Sequence, residues 1–335
     1  MYIRAPTLDD LLRNVYKKLL SSRNRAKPSR GNIFEETGVL LEIKNPRARL
    51  SRTESRGKVF SCLGELLWYL AGTNDLEYIC YYLPRYKEDS EDGKTIYGGY
   101  GPRLFKTRGQ NQVENVLQML KGNPFSRKAV IQLFDSDDLA IVRKEIPCTC
   151  TLQFMIRKNQ LHMFTHMRSN DAYIGLPHDV FCFTMLQEII ARSLSVELGT
   201  YKHFVGSLHL YEKDIEGAGQ YLDEGWQSSN ISMPLMPEGD PWPAISVLLK
   251  AESDIRGKIV VDRSSLGLDP YWADFVRLLQ IFRHYKDKDS NGLALIKSIR
   301  DEMSSHVYNA YIEKQQRKHT VVLPTHEQLK LNTIS

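Results

Sequence analysis

The chain has 335 residues, 42% apolar and 25% charged, with 45 Lys plus Arg against 40 Asp plus Glu for a net charge of +5. This length allows about two domains or one large α/β domain, and the composition suits a globular protein with a sizeable core. The mild basic excess lacks the concentrated stripe of a nucleic-acid binder but suits small anionic substrates. Five cysteines, Cys62, Cys80, Cys148, Cys150 and Cys182, are too few and too odd in number for a disulfide scaffold, so a reducing, cytoplasmic compartment is expected. The opening MYIRAPTLDDLL carries no apolar h-region and no run reaches about 18 apolar residues, so neither a signal peptide nor a membrane span is expected.

In chain order, Leu8 to Leu20 predicts an amphipathic helix with Lys17 and Lys18 near its end. A polar stretch broken by Pro28 and Gly31 follows, and GVLLEI predicts a strand. Val59 to Leu83 predicts the longest helix, with Gly72 a point of interruption and Pro84 its end. Residues 86 to 103, YKEDSEDGKTIYGGYGPR, form a glycine- and charge-rich loop, and Val113 to Leu120 predicts another helix. KAVIQLF, CTLQFMIR and QLHMFTHMR predict strands, the last two joined at Lys158-Asn159. Val180 to Ser195 predicts an apolar helix, YKHFVGSLHLY is extended, and Pro234, Pro237, Pro241 and Pro243 mark an irregular connection. Tyr271 to His284 and Leu293 to Lys314 predict two late helices separated by KDKDSNG.

Cys148 follows Pro147 and opens a strand. The bland reading of such a cysteine is a small buried hydrophobe. Cys148-x-Cys150 lacks zinc spacing and no second Cys/His pair completes a site, so no metal is expected. A nucleophilic thiolate is the remaining option, and it needs a cation nearby to lower its pKa. Arg168 heads the polar run HMRSNDAYIGLPHD, just before the apolar helix, where converging polar groups are the pattern of a site.

Pro147-Cys148 with Gln153-Phe154, Arg168-Ser169-x-Asp171, Gly175-Leu176-Pro177, and Gly206 with His209-x-Tyr211 together resemble the thymidylate synthase family in its own order and spacing. Gly64-Glu65-Leu66-Leu67-Trp68-Tyr69-Leu70 resembles that family's glutamate helix, and Ser126-Arg127-Lys128 its dibasic phosphate segment. The resemblance covers residues 20 to 215. It implies an α/β (α+β) fold: a single domain over 1–335 with a twisted mixed sheet, flanking helices and a divergent helical part over 216–335. It also implies a homodimer with shared sites, and 5,10-methylenetetrahydrofolate as co-substrate.

By this resemblance Cys148 adds to C6 of a pyrimidine nucleotide, Glu65 organises water and moves protons, and Arg168 clamps phosphate while lowering the Cys148 pKa. Arg30 matches a phosphate arginine by position, and Arg127 with Lys128 matches a segment that reaches the neighbouring subunit's phosphate. Ser169 lies in the substrate motif, Asp171 contacts the folate, and His209 with Tyr211 hold the sugar hydroxyl from one face of a strand. Tyr97 and Tyr100 both fit the family's loop tyrosine. Ribose and 2′-deoxyribose both stay open.

The chain departs from the synthases at Asp179, where they carry asparagine. Cytosine offers a 4-amino donor and an N3 acceptor; a carboxylate accepts from the first and, if protonated, serves the second. Asp179 therefore favours cytosine, as in the similar deoxycytidylate hydroxymethylases; the alternative is that it only N-caps the next helix. YYLPRYKEDSEDG lacks the synthases' tryptophans, and their carboxy-terminal ending is unrecognisable. Both differences favour water attack over hydride transfer, hence C5 hydroxymethylation of CMP or dCMP. Thymidylate synthesis from dUMP and a catalytically silent nucleotide-binding regulator are the rival readings.

Overall fold

The computed structural model describes residues 1–53, 57–226, 231–287 and 292–322. Strand β1 (Tyr2–Ala5) precedes helix α1 (Leu8–Ser21), whose start is set by Thr7: its hydroxyl accepts the Asp10 N–H at 3.1 Å. Leu8, Leu11, Leu12, Val15 and Leu19 recur at helical spacing and are buried, each contributing roughly 1.5–3 kcal/mol relative to exposure. β2 (Arg25–Ala26) pairs with β3 (Ile33–Ile43), so GVLLEI is the end of a longer strand.

The helix expected over 59–83 is two helices, α2 (Val59–Leu70) and α3 (Leu76–Tyr82). Gly72 takes a left-handed φ of +62°, and Asp75 restarts the helix by accepting the Tyr78 N–H at 2.6 Å. A short helix, α4 (Tyr100–Phe105), begins inside the stretch expected as loop. Then follow α5 (Gln112–Gly122), β4 (Val130–Gln132), β5 (Thr149–Arg157) and β6 (Gln160–Asp171). The two-residue turn Lys158-Asn159 has φ of 52° and 58°, matching the twist of a tight hairpin. α6 (Gly175–Ser193) is buried on nearly every side, β7 (Glu197–Tyr211) returns to the sheet, and α7 (Ile215–Asp223) follows.

The strands form one mixed sheet in the order β1-β3-β7-β6-β5-β4, with β2 on β3. This order explains where a site arises. β6 and β7 are parallel, so their carboxy-terminal ends, Asp171 and Tyr211, lie together. β5 is antiparallel to β6 and β3 to β7, which brings Cys148 and Arg30, just before those strands, to the same end. Four segments far apart in sequence thus meet at one edge of the sheet.

By internal contacts the chain divides into two compact units, Met1–Leu249 and Lys250–Ser335, with the boundary inside α8 (Trp242–Arg256). The proline-rich connection ends where α8 begins, and Pro243 sits in its first turn, where its missing N–H is harmless. The second unit holds α9 (Pro270–Asp287), α10 (Gly292–Asp301) and α11 (Asn309–Val322). Residues 288–291 of the expected KDKDSNG separator lie outside the described residues. The single helix expected over 293–314 is interrupted: the buried Asp274 carboxylate accepts the N–H groups of Ser304 and Ser305, both at 2.9 Å, and holds that segment out of the helix. Among the described residues no helix is long and apolar enough to cross a membrane.

Candidate active site

A cavity of about 1160 Å³ opens at the end of the sheet where β3, β5, β6 and β7 converge. It is lined by Cys148, Glu65, Tyr100, Arg30, Arg168, Ser169, Asp171, Asp179, His209 and Tyr211. Arg127 and Lys128 are exposed and lie outside the cavity of their own chain, and Tyr97, whose ring packs 3.6 Å from the Arg143 guanidinium, does not line it.

Arg168 is fixed by backbone carbonyls: Nε donates to Pro147 at 3.0 Å and Nη2 to Ile146 at 3.0 Å. This places Nη2 3.6 Å from the Cys148 sulfur. Gly206 permits the approach of β7, since a Cβ there would lie 2.7 Å from the Arg168 carbonyl oxygen. The sulfur also faces Glu145, donating to Oε1 at 3.8 Å, while Oε2 of that carboxylate accepts from Arg30 at 2.7 Å. Arg30 donates to Asp89 as well, at 2.6 Å. By the family resemblance Arg168 is expected to lower the Cys148 pKa. The guanidinium does act in that direction, but burial, reinforced by Glu145, outweighs it, and the thiol is pushed up to about 12. Burial likewise raises Glu145, against the pull of Arg30.

Cys150, two positions after Cys148, is separated from it by an irregularity of the strand. The β5–β6 ladder shifts register between Thr149 and Thr151, and this bulge breaks the alternation; Cys150 is absent from the residues that line the cavity.

Glu65 is buried on α2. Its Oε1 accepts from the hydroxyls of Tyr69 at 3.1 Å and Tyr86 at 2.6 Å. Burial, then the Glu65 charge, raises both tyrosines well above their ordinary range, so both remain donors. Oε2 is buried with no hydrogen-bond partner among the described residues, an arrangement that costs about 1–3 kcal/mol unless water or a ligand fills it. The Tyr100 hydroxyl accepts the Thr149 N–H at 3.1 Å and lies 2.9 Å from Thr149 Oγ1.

Asp179 is the fifth residue of α6 rather than its cap. Asp171 supports the helix entry instead, its Oδ1 accepting the N–H of Tyr173 at 2.8 Å and of Ile174 at 3.3 Å. Asp179 Oδ2 accepts from Asn170 Nδ2 at 2.7 Å. Burial first, then the Glu65 charge, pushes its pKa up to about 8, which favours the protonated carboxyl at pH 7. Ser169 Oγ is 3.4 Å from His209 Nδ1, and the His209 and Tyr211 rings meet edge to face at 5.1 Å.

Sequence reasoning missed Glu145, Asn170, Tyr69, Tyr86 and Arg85, all of which line the cavity. Tyr69 had a signal, since it stands four positions after Glu65 on one helix. Asn170 sits inside the recognised Arg168–Asp171 run. Tyr86 and Arg85 lie on a 3₁₀ turn whose position depends on tertiary packing.

The thymidylate synthase family model matches residues 9–236. The chain is similar to the deoxyuridylate hydroxymethyltransferase of Pseudomonas phage M6, 32% identical over 194 residues that cover 57% of this chain and 55% of that protein. It is also similar to the deoxyuridylate hydroxymethyltransferase of Bacillus phage SP01, at 30% over 221 residues covering 61% and 56%. The thymidylate synthase of Bacillus phage phi3T is 37% identical over 132 residues, covering 38% and 47%. The chain thus spans about half the length of these curated relatives.

Proposed function

Because the chain belongs to the thymidylate synthase family, we propose that it transfers a hydroxymethyl group to C5 of a cytidine monophosphate, CMP or dCMP, with 5,10-methylenetetrahydrofolate as co-substrate. The observation that carries the choice of base is Asp179, a part-buried carboxyl that lines the cavity and whose pKa burial raises to about 8. A neutral carboxyl supplies one donor and one acceptor, which match N3 and the 4-amino group of cytosine.

The cavity exceeds the roughly 300–1,000 Å³ typical of a single small-molecule site, leaving room for nucleotide and folate together. The folate supplies the one-carbon unit. Cys148 forms a bond from sulfur to C6, which makes C5 nucleophilic; Glu145, which accepts the thiol hydrogen, is placed to take that proton. Glu65, held by Tyr69 and Tyr86, keeps Oε2 for the water that adds to the transferred carbon. Arg30 and Arg168 take the phosphate, Ser169, His209 and Tyr211 the sugar side, and Asp171 the folate; Tyr100 is the tyrosine at the ring. The unit Met1–Leu249 carries these groups.

We also assign a homodimer in which Arg127 and Lys128 reach the phosphate of the partner's site. Mixed dimers of Arg127→Ala and Cys148→Ser subunits carry one site with neither defect and should regain activity; no recovery in purified heterodimers counts against a shared site.

The relatives named deoxyuridylate hydroxymethyltransferase favour a second reading in which the base is uracil and the product is still hydroxymethylated. Thymidylate synthesis from dUMP would need hydride delivery, and a silent nucleotide-binding regulator would need neither Cys148 nor Glu65. Incubation of each of CMP, dCMP, UMP and dUMP with methylenetetrahydrofolate, followed by mass spectrometry, separates these. A gain of CH₂O on a cytidylate is expected; CH₂O on a uridylate, CH₂ on dUMP, or no product supports a rival.

A further inference from the structure

A neutral carboxyl is ambivalent. Moving its proton from one oxygen to the other exchanges donor and acceptor, so it can serve a ring with an acceptor N3 and a 4-amino group, or one with N3–H and a 4-oxo group. Asp179 discriminates only if something fixes where its proton sits.

Asn170, 4% exposed, donates from Nδ2 to Asp179 Oδ2 at 2.7 Å. Its Oδ1 lies 3.2 Å from His203 Nε2, and His203 Nδ1 lies 2.7 Å from the Tyr201 hydroxyl. His203 is fully buried, and burial lowers its pKa to about 3, so the ring is neutral with a single N–H. Asn170 Oδ1 can only accept, which puts that N–H on Nε2. Nδ1 is then an acceptor, and Tyr201 donates to it. In this arrangement the chain Tyr201 to His203 to Asn170 to Asp179 matches a donor to an acceptor at every step. Gly175 leaves the room: a Cβ there would lie 2.9 Å from Asn170 Nδ2 and 3.5 Å from Asp179 Oδ2.

We infer that Asn170, oriented by His203 and Tyr201, is the positioning residue that sets base preference, because it holds Asp179 Oδ2 as an acceptor and leaves the proton on Oδ1. This rests on Asp179 contacting the base, but not on which base is preferred.

The test is calorimetric binding of CMP and UMP to wild type, Asn170→Ala, His203→Phe and His203→Gln, with thermal melts to confirm folding. Wild type should prefer one nucleotide by about tenfold or more, the scale of one mismatched buried polar pair. Asn170→Ala and His203→Phe should bring the two affinities together, whereas His203→Gln, which keeps an N–H donor for Asn170, should retain the preference. A merely structural role would weaken both nucleotides alike and leave their ratio unchanged, and that result overturns the inference. So does a wild type with no preference, or His203→Gln behaving like His203→Phe. If Asn170→Ala does not fold, the two His203 variants decide. A wild type that prefers UMP, with that preference erased in Asn170→Ala, upholds the inference and removes the cytidylate reading.

Discussion

Glu145 and Asp179 are two carboxyl groups in one cavity, both raised by burial, but they are held in opposite ways. Glu145 lies among cations: Arg30 at 2.7 Å and Arg168 at 3.9 Å. Asp179 is held by a neutral amide and has a second carboxyl, Glu65, as its main electrostatic neighbour. Charge-paired contacts with the half-exposed Arg30 can be exchanged for an anionic substrate group. A neutral carboxyl locked by a buried amide cannot rearrange so easily, and it suits recognition of a base edge. Under the proposed function, the same end of the sheet would carry an exchangeable anion site and a fixed reader of the base.

Cys148→Ser should break the first region most severely, removing turnover while leaving nucleotide binding nearly intact, because an alcohol ionises far less than a thiol. Cys150→Ser should be mild, since Cys150 does not line the cavity; steady-state rates and calorimetric binding check both. In the second region, base recognition by neutral Asp179 should fail as pH rises through about 8, giving kcat/KM on the cytidylate an alkaline limb that Asp179→Asn lacks.

The folded pKa of Asp179 lies above its ordinary 3.8, so its contribution is fully present below that value and lost as pH rises through about 8. Thermal melts of Asp179→Asn against wild type should show the variant gaining relative stability between those two pH values and no further above them. The smallest effect is expected at Glu145→Gln. Removing that carboxylate takes away a charge that raises the thiol, so iodoacetamide, which reacts with thiolate already formed, should alkylate Cys148 faster, by up to about tenfold per pKa unit recovered, whereas turnover loses the acceptor of the thiol proton and should slow.

Much of this site was legible because its residues sit on regular elements in recognisable runs. Arg168, Ser169 and Asp171 end one strand, His209 and Tyr211 end its parallel neighbour, and Asp179 lies one helical turn into α6. What was not legible depends on three dimensions. The thiol pKa follows from burial and from Glu145, on a loop whose path the sequence pattern does not set. The place of Cys150 follows from a bulge, and the break in the helix over 293–314 from the distant Asp274 carboxylate. Four-residue β1 is too short for an alternation signal and is defined by its parallel pairing with β3.

Whether Asp179 reads the base is decided by kcat/KM on CMP and dCMP against UMP and dUMP for wild type and Asp179→Asn. Leaving a mismatched polar group buried against the ring costs about 1–3 kcal/mol, so the preference should shift by roughly ten- to a hundredfold. A cross-over is expected: cytidylates preferred by wild type, with lower rates on them and higher rates on uridylates in the variant. An unchanged ratio between wild type and variant, or a wild type that already prefers uridylates, would contradict it.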